Sequence, residues 1–429
     1  MTELKPDLVS HAAVLTDAQD LRAYEDVMHC NRCGFCTSFC PTYLATGDEG
    51  LSPRGRNQSL RALLEGRLSP QEGQRFFDTC LTCGICTSVC FAQVPTARLM
   101  VRAREKVRKS QASARIVSFF FRWVLPRPRV FEPFLKVLFF WKRLGVSSRL
   151  NKWGILGLVH PRLKAAEEVL DTVSLPFVRD TLTPAEKDVE VIQFLACGSN
   201  CLSPEVGRAT AHLLKVAGVK SGAGDTVCCG LPAQSYGDLD AARRMARVNI
   251  ERLERFPQAV VLVDDSSCAA MVKDWPELFE ADPLWRERAV AVSHRTKDLL
   301  QWLDENRQTL RSKLSVPAGV VTYHDSCKAR FGQGLVDEPR RVLKTHGVDV
   351  REMAEADSCC GGAGAYQFMQ AELSRSVGDR KTKRILESGA GVVLTSSVSC
   401  LLSLRAGLKR AGSSVKAFHI SEFLATPPK

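Results

Sequence analysis

The 429-residue sequence predicts a mixed fold, in which a small helical domain built around two metal clusters precedes two tandem α/β domains rich in cysteine. Three observations carry this reading. Eight of the seventeen cysteines fall in two copies of one tight spacing. Eight more fall in two copies of a looser pattern, interleaved with strand-like and helix-like runs. A strongly basic, aromatic-rich segment separates the two pairs.

The tight spacing comes first along the chain. Cys30, Cys33, Cys36 and Cys40 read C-x2-C-x2-C-x3-C with Pro41 next, and Cys80, Cys83, Cys86 and Cys90 repeat it fifty residues later. A [4Fe–4S] cubane takes three thiolates from one short loop and a fourth from elsewhere; with two clusters, the fourth cysteine of each run serves the other cluster. This assigns one [4Fe–4S] cluster to Cys30, Cys33, Cys36 and Cys90, and a second to Cys80, Cys83, Cys86 and Cys40. Residues 1–105 then form a ferredoxin-like domain, and the chain is expected to carry electrons. Zinc sites want two separated cysteine pairs rather than four cysteines in one run. A disulfide framework needs export, and the N-terminus (MTELKPDLVS) has no apolar signal core. Many reduced thiols and no export signal imply the cytoplasm. One departure stands out. Phe91, not proline, follows the second run, and the nearest proline is Pro95, so the local geometry is expected to differ there without loss of a ligand.

Residues 106–186 read as a basic, aromatic-rich helical linker. From Arg102 to Lys164 there are sixteen Lys and Arg against two acids, Glu105 and Glu132, which exceeds the +12 of the whole chain. Phe119, Phe120, Phe121, Trp123, Phe131, Phe134, Phe139, Phe140 and Trp141 lie among these charges. Arg122, Arg127, Arg129, Glu132 and Lys136 interrupt the apolar run, so it falls short of the roughly 20 apolar residues a span needs. Pro126, Pro128 and Pro133 are expected to break it into two short helical pieces. Rings beside Lys and Arg suit peripheral contact with anionic lipid at the inner face of the cell membrane; the competing reading is an interface with another domain or subunit. No nucleic-acid-binding signature accompanies the charge.

The back half is one unit written twice, over residues 187–312 and 313–429. A strand-like run from Val189 to Leu195 ends at Cys197; thirty residues on comes Cys228-Cys229-Gly230, and after another strand (Ala259 to Val263) comes Cys268. The second copy runs from Val320–Tyr323 to Cys327, then Cys359-Cys360-Gly361, then Gly391–Leu394 and Cys400. Helix-like stretches fall between (Glu205–Val216, Leu239–Phe256, Pro339–His346, Ala371–Glu387), so each copy should be an α/β layer with a mainly parallel sheet. Functional groups gather at the carboxyl ends of such strands. Adjacent cysteines cannot both point one way from a strand; they need a turn, which Gly230 and Gly361 permit. Each set of four cysteines is a candidate site for a further cluster or another metal. Cys201 stands outside the repeat and reads as structural, and His324 and His419 read as satisfied core residues.

The order of these parts resembles the iron–sulfur subunit family of bacterial glycolate oxidases. It is also similar to lactate-utilisation and anaerobic glycerol-3-phosphate dehydrogenase iron–sulfur subunits and, more distantly, to heterodisulfide reductase with its CCG domains. The stretches that carry the likeness are NRCGFCTSFCPTYLATGDE, SPRGR, DTCLTCGICTSVC, LPRPRVF, CCGLPA and DSCCGGAGAY. The resemblance implies cubane ligation by the first eight cysteines. It implies ligand roles for Cys197, Cys228, Cys229 and Cys268, and for Cys327, Cys359, Cys360 and Cys400. Heterodisulfide-reductase repeats end in a C-x2-C pair, but here Asp265 precedes Cys268 and Ser397 precedes Cys400. A five-cysteine cluster for disulfide chemistry is therefore missing its last ligand. No dinucleotide fingerprint, nucleophile elbow or P-loop occurs, so hydride removal is expected on an FAD-containing partner, with the quinone pool as electron sink.

Overall fold

The computed structural model describes residues 17–111, 114–159, 161–170, 174–317 and 319–426. The decapeptide read as lacking a signal core lies outside them. Two compact units emerge, one from the chain up to Val117 with Gln234–Asp238, the other from Ser118–Ala233 and Leu239 onward.

In the first unit three of the longer helices start on a side-chain cap. Asp17 accepts from the Gln19 amide at 2.9 Å to cap Ala18–Met28. Ser52 caps Pro53–Leu64, and Ser69 with Glu72 forms a reciprocal capping box on Pro70–Asp78. Thr96–Lys109 completes the set. Tyr24, Val27, Leu60, Phe77, Leu99, Ala103 and Val107 close one core between these helices; the last three repeat at helical spacing. The two cysteine loops are thus anchored at both ends by packed helices. The proline departure has a visible consequence. Pro41 is the first residue of helix Pro41–Thr46, with Cys40 as its cap, because proline is preset for that position. After Cys90 the chain turns instead, Phe91 is 86% exposed, and helix begins only at Thr96.

In the second unit the linker corrects one expectation. Pro133 does not break the helix, which runs unbroken over Pro128–Arg143. A proline six residues in forfeits a single backbone bond, while Phe131, Leu135 and Phe139 hold this face against Phe177 and Cys201. Ahead of it, Ala114–Phe119 passes into a π turn over Phe120–Val124. Among the described residues no helix is long and apolar enough to cross a membrane.

The cysteine-rich repeats form two parallel sheets. Strands β1 (Val191–Phe194), β2 (Ser221–Ala223), β3 (Val260–Val263) and β4 (Thr296–Asp298) are ordered β2-β1-β3-β4. Strands β5 (Val320–Tyr323), β6 (Asp349–Val350), β7 (Val392–Thr395) and β8 (Lys416–His419) repeat that order as β6-β5-β7-β8. The central strands are mostly apolar and almost wholly buried, with Gln193, Thr322 and Thr395 as the polar members of β1, β5 and β7, as expected where helices cover both faces. The helices Pro204–Ala217, Leu239–Leu253, Glu338–Thr345 and Ala371–Glu387 fall where the sequence places them. The strand order reverses between β1 and β3 and between β5 and β7, a switch point at which a crevice is expected at the carboxyl ends of the strands.

Both repeats share one core, in which Leu213, Leu299 and Trp302 pack with Val342, Leu343 and Phe423. Their seam uses the residues that replace the missing cysteines. Asp265 accepts from the Val398 amide at 2.7 Å, Ser397 donates to Asp265 at 3.3 Å, and the Ser266 amide bonds the Ser396 carbonyl at 2.9 Å.

Candidate metal centres

The two tight loops share one backbone conformation. Arg32 and Gly34 take φ of 57° and 82°, and Thr82 and Gly84 take 48° and 85°. Left-handed residues at alternate positions curl a loop so that its amides face inward, a concavity suited to an anionic group. Holding a non-glycine there costs about 1–2 kcal/mol, a strain typical of functional loops. Cys40 lines one small cavity with Cys80, Cys83 and Cys86. Burial, followed by the proximity of Cys30, Cys90 and Cys33, pushes the Cys36 thiol up to about 11. Burial, then Cys80, Cys40 and Cys36, raises the Cys86 thiol, opposed by Arg56. So the fold sets Cys90 beside the first run and Cys40 beside the second. Crowded thiols that resist losing protons together fit a metal centre, which draws the protons off on binding.

Each cysteine-rich repeat gathers its sulfurs at the strand ends. In the first, Cys197 Sγ lies 3.8 Å from Cys228 Sγ, and Cys229 Sγ lies 3.3 Å from Cys268 Sγ. The Cys228 contact and burial hold the Cys197 thiol well up. The Cys229 contact pulls Cys268 down, but burial and Asp265 outweigh it and leave that thiol at about 12. Gly230 and Gly361, at φ of 96° and 79°, make the turns that let paired cysteines converge. In the second repeat Cys327, Cys359, Cys360 and Cys400 interact in a chain. The Cys359 contact, then Cys400 and His324, draw the Cys360 thiol well down, while Cys359 and Cys400 are raised. These eight sulfurs gather at two places near the strand ends, six of them buried and Cys197 and Cys327 partly exposed. Cys201 is apart from both, buried against Phe139 and Phe177.

Segment 26–94 matches the 4Fe-4S dicluster domain family. Segment 114–170 matches the linker region of the glycolate oxidase iron–sulfur subunit, and 191–273 and 321–405 each match the cysteine-rich domain. The chain is 30% identical over 419 residues to the probable glycolate oxidase iron–sulfur subunit of Bacillus subtilis (strain 168), with 93% of each covered. The chain belongs to the glycolate oxidase iron–sulfur subunit family. The glycolate oxidase iron–sulfur subunit of Escherichia coli (strain K12) is 28% identical over 408 residues, again 93% of each. Lactate utilization protein A of Exiguobacterium sp. (strain ATCC BAA-1283 / AT1b) is 32% identical over 236 residues, 54% of this chain and 96% of that one. A crystal structure of a hypothetical protein from Helicobacter pylori shares the fold, at TM-score 0.53 and 9% identity, covering 97% of this chain and 73% of that one.

Two residues that the sequence did not single out, Arg56 and Lys381, lie close to the sulfurs. In SPRGR, Ser52 caps, Pro53 starts the helix, and a Cβ on Gly55 would lie 2.0 Å from the Glu49 carbonyl. Arg56, 1% exposed, donates to the Phe76 carbonyl at 2.7 Å and to Thr42 at 2.9 Å, and its Nη1 stands 3.8 Å from Cys40 Sγ. A buried guanidinium there stabilises negative charge on sulfur. In the second repeat Lys381, also 1% exposed, bonds the Glu355 and Ala356 carbonyls, and burial lowers it to about 8 despite Cys360 and Cys359 nearby. His324 overturns its expectation. It is fully buried, but neither ring nitrogen has a nitrogen or oxygen partner, and it faces sulfur instead. His419 meets its expectation only in part, because Nδ1 caps Ile420–Ala425 and bonds Ser421 at 2.8 Å while the buried Nε2 has no hydrogen-bond partner.

Proposed function

We propose that this chain is the electron-transfer iron–sulfur subunit of a flavin-dependent 2-hydroxy-acid oxidase complex, acting on glycolate. Two [4Fe–4S] clusters sit on Cys30, Cys33, Cys36 and Cys90 and on Cys80, Cys83, Cys86 and Cys40. The cysteine-rich sites, Cys197, Cys228, Cys229 and Cys268 with Cys327, Cys359, Cys360 and Cys400, hold further metal or cluster. The observation that carries this reading is the pair of matched cysteine cradles, each facing the fourth cysteine of the other run. Bound clusters supply one-electron steps, whereas a flavin accepts a hydride. The substrate would therefore give its hydride to FAD on a partner subunit, and the clusters held by the cysteines of this chain would supply one-electron transfer towards a quinone, which would take two electrons and two protons in all. In this chain Arg56 and the loop amides balance the charge on the sulfurs.

The linker supports a site at the inner face of the cell membrane. Phe134, Val137, Leu138, Trp141 and Leu144 line one face of helix Pro128–Arg143 and are each about half exposed, while Phe131, Leu135 and Phe139 occupy the packed face. Arg143, Arg149 and Lys152 are exposed beside them, with Trp153 70% exposed. Aromatic rings with cations suit anionic lipid, and lipid is where quinone resides.

The test is anaerobic purification of the tagged chain from its own cells, with visible and EPR spectra before and after glycolate or lactate. Bound flavin and cluster reduction by glycolate is the expected result. Reduction by lactate alone would move the chain to a lactate complex, a reading favoured by its likeness to lactate utilization protein A. Clusters unresponsive to either acid, with flavin bound and reduced, would refute electron transfer through this chain.

A further inference from the structure

Strand register aligns the two repeats residue by residue. Val191 pairs with Val260 on the neighbouring strand as Val321 pairs with Val392. Counting along each strand brings Phe194 and His324 to the same place, three residues before Cys197 and Cys327. The first repeat fills that place with a fully buried phenyl ring, 6.3 Å from the Trp275 ring. The second fills it with a fully buried imidazole that has no nitrogen or oxygen partner. A ring nitrogen of His324, Cys360 Sγ and Cys400 Sγ all lie within 4.8 Å of one another. Burying an imidazole without partners is unfavourable, whereas the apolar ring in the twin repeat shows that the fold itself does not require histidine there.

We propose that the second cysteine-rich repeat holds its metal through imidazole and thiolates together, with His324, Cys360 and Cys400 as its ligands and a sulfur of the Cys327–Cys359 pair completing the set. The first repeat is all-thiolate. This rests on the reading that the repeats bind metal, and it makes the two sites chemically different. Two thiophilic centres accept such a donor set, a zinc ion and an iron–sulfur cluster, where nitrogen in place of sulfur raises the reduction potential. Their common feature is a metal–nitrogen bond.

The test uses the full chain, purified anaerobically and assayed for iron, sulfide and zinc, alongside His324→Phe and Cys360→Ser. His324→Phe installs the ring that the first repeat already accommodates. Pulsed EPR with 15N-histidine labelling reads nitrogen on a reduced cluster, and X-ray absorption at the zinc edge reads it on zinc. The expected result is one nitrogen ligand in the parent, lost in His324→Phe, while the other clusters keep their spectra. A parent without metal-bound nitrogen, or a nitrogen signal that survives His324→Phe, overturns the proposal. If Cys360→Ser also leaves the metal content unchanged, the prior reading that this repeat binds metal has failed instead.

Discussion

Replacing Gly361 with alanine should damage the second repeat far more than the matching change at Gly230 damages the first. Both glycines follow a cysteine pair and both are left-handed, so alanine costs about 1–2 kcal/mol at either position from backbone conformation alone. The surroundings then separate them. A Cβ on Gly230 would lie 3.2 Å from the Ala242 carbonyl oxygen, which a shift of a few tenths of an ångström relieves. A Cβ on Gly361 would lie 2.4 Å from the Ser374 carbonyl oxygen and 3.2 Å from the Gly378 nitrogen, both backbone atoms of helix Ala371–Glu387. Helix backbone cannot yield that far without unpacking, and overpacking of this kind adds about 1–3 kcal/mol. The Ser374 hydroxyl also donates to the Gly361 carbonyl at 2.8 Å, a bond the displaced turn would lose. The sum is about 2–5 kcal/mol at Gly361 against about 1–2 at Gly230. At about 2–4 °C per kcal/mol, the middle of these ranges puts the fall in anaerobic melting midpoint at roughly 10 °C and roughly 5 °C respectively. Metal analysis should show the loss confined to the second repeat. Equal shifts, or a milder effect at Gly361, would refute the claim that its turn is wedged against the helix.

Three further outcomes are expected. Arg56→Gln removes a buried charge beside Cys40 and should lower the midpoint of one cluster by on the order of 100 mV, read by EPR redox titration; two unmoved midpoints would deny Arg56 that role. Burial lifts the Asp264 carboxyl to about 7 against bonds from Ser199 and Gln193. Its folded value lies above the usual 3.8, so the penalty is absent below that value and grows as pH rises towards about 7. Asp264→Asn should therefore exceed the parent in stability at pH 8 by on the order of 3 kcal/mol, with the advantage shrinking towards pH 5, and a pH-independent difference in urea or thermal melts would contradict this. Phe134→Ser with Trp141→Ser should weaken binding to anionic vesicles about tenfold or more without changing cluster spectra, whereas unchanged binding would assign that face to a partner subunit.

Much of this molecule was legible because its spacing is strict. The C-x2-C-x2-C-x3-C runs located both cradles, and the apolar runs before Cys197, Cys268, Cys327 and Cys400 located the four central strands. The outer strands were not legible. Ser221–Ala223, Thr296–Asp298 and Asp349–Val350 are two or three residues long and largely polar, so no period-2 pattern can form. They are strands because a neighbour's backbone pairs with them. Pro133 misled for a related reason, since its cost is local while the packing that overrides it comes from Phe177 and Cys201, distant in sequence.

The residues around the sulfurs were harder still, because tertiary packing chooses them. Arg56 reaches Cys40 from helix Pro53–Leu64 and Lys381 nears Cys360 from helix Ala371–Glu387, and no spacing rule links either pair. His324 did leave a signal. Aligning the repeats on their cysteines sets FLAC against HDSC, a change from apolar ring to imidazole at one register position. The same alignment sets Asn249, which bonds the Val227 and Cys228 carbonyls, against Lys381, which bonds those of Glu355 and Ala356. It sets the buried acids Asp264 and Asp265 against Ser396 and Ser397. The first copy therefore places carboxyls and an amide near its sulfurs and the second a cation and an imidazole, although Asp265 also raises the Cys400 thiol across the seam and Asp325 is buried in the second copy. Negative surroundings disfavour added electrons and positive ones favour them. If both repeats hold redox centres, as proposed above, copies that keep their sulfurs but differ in the charges around them would hold those centres at different affinities for an electron.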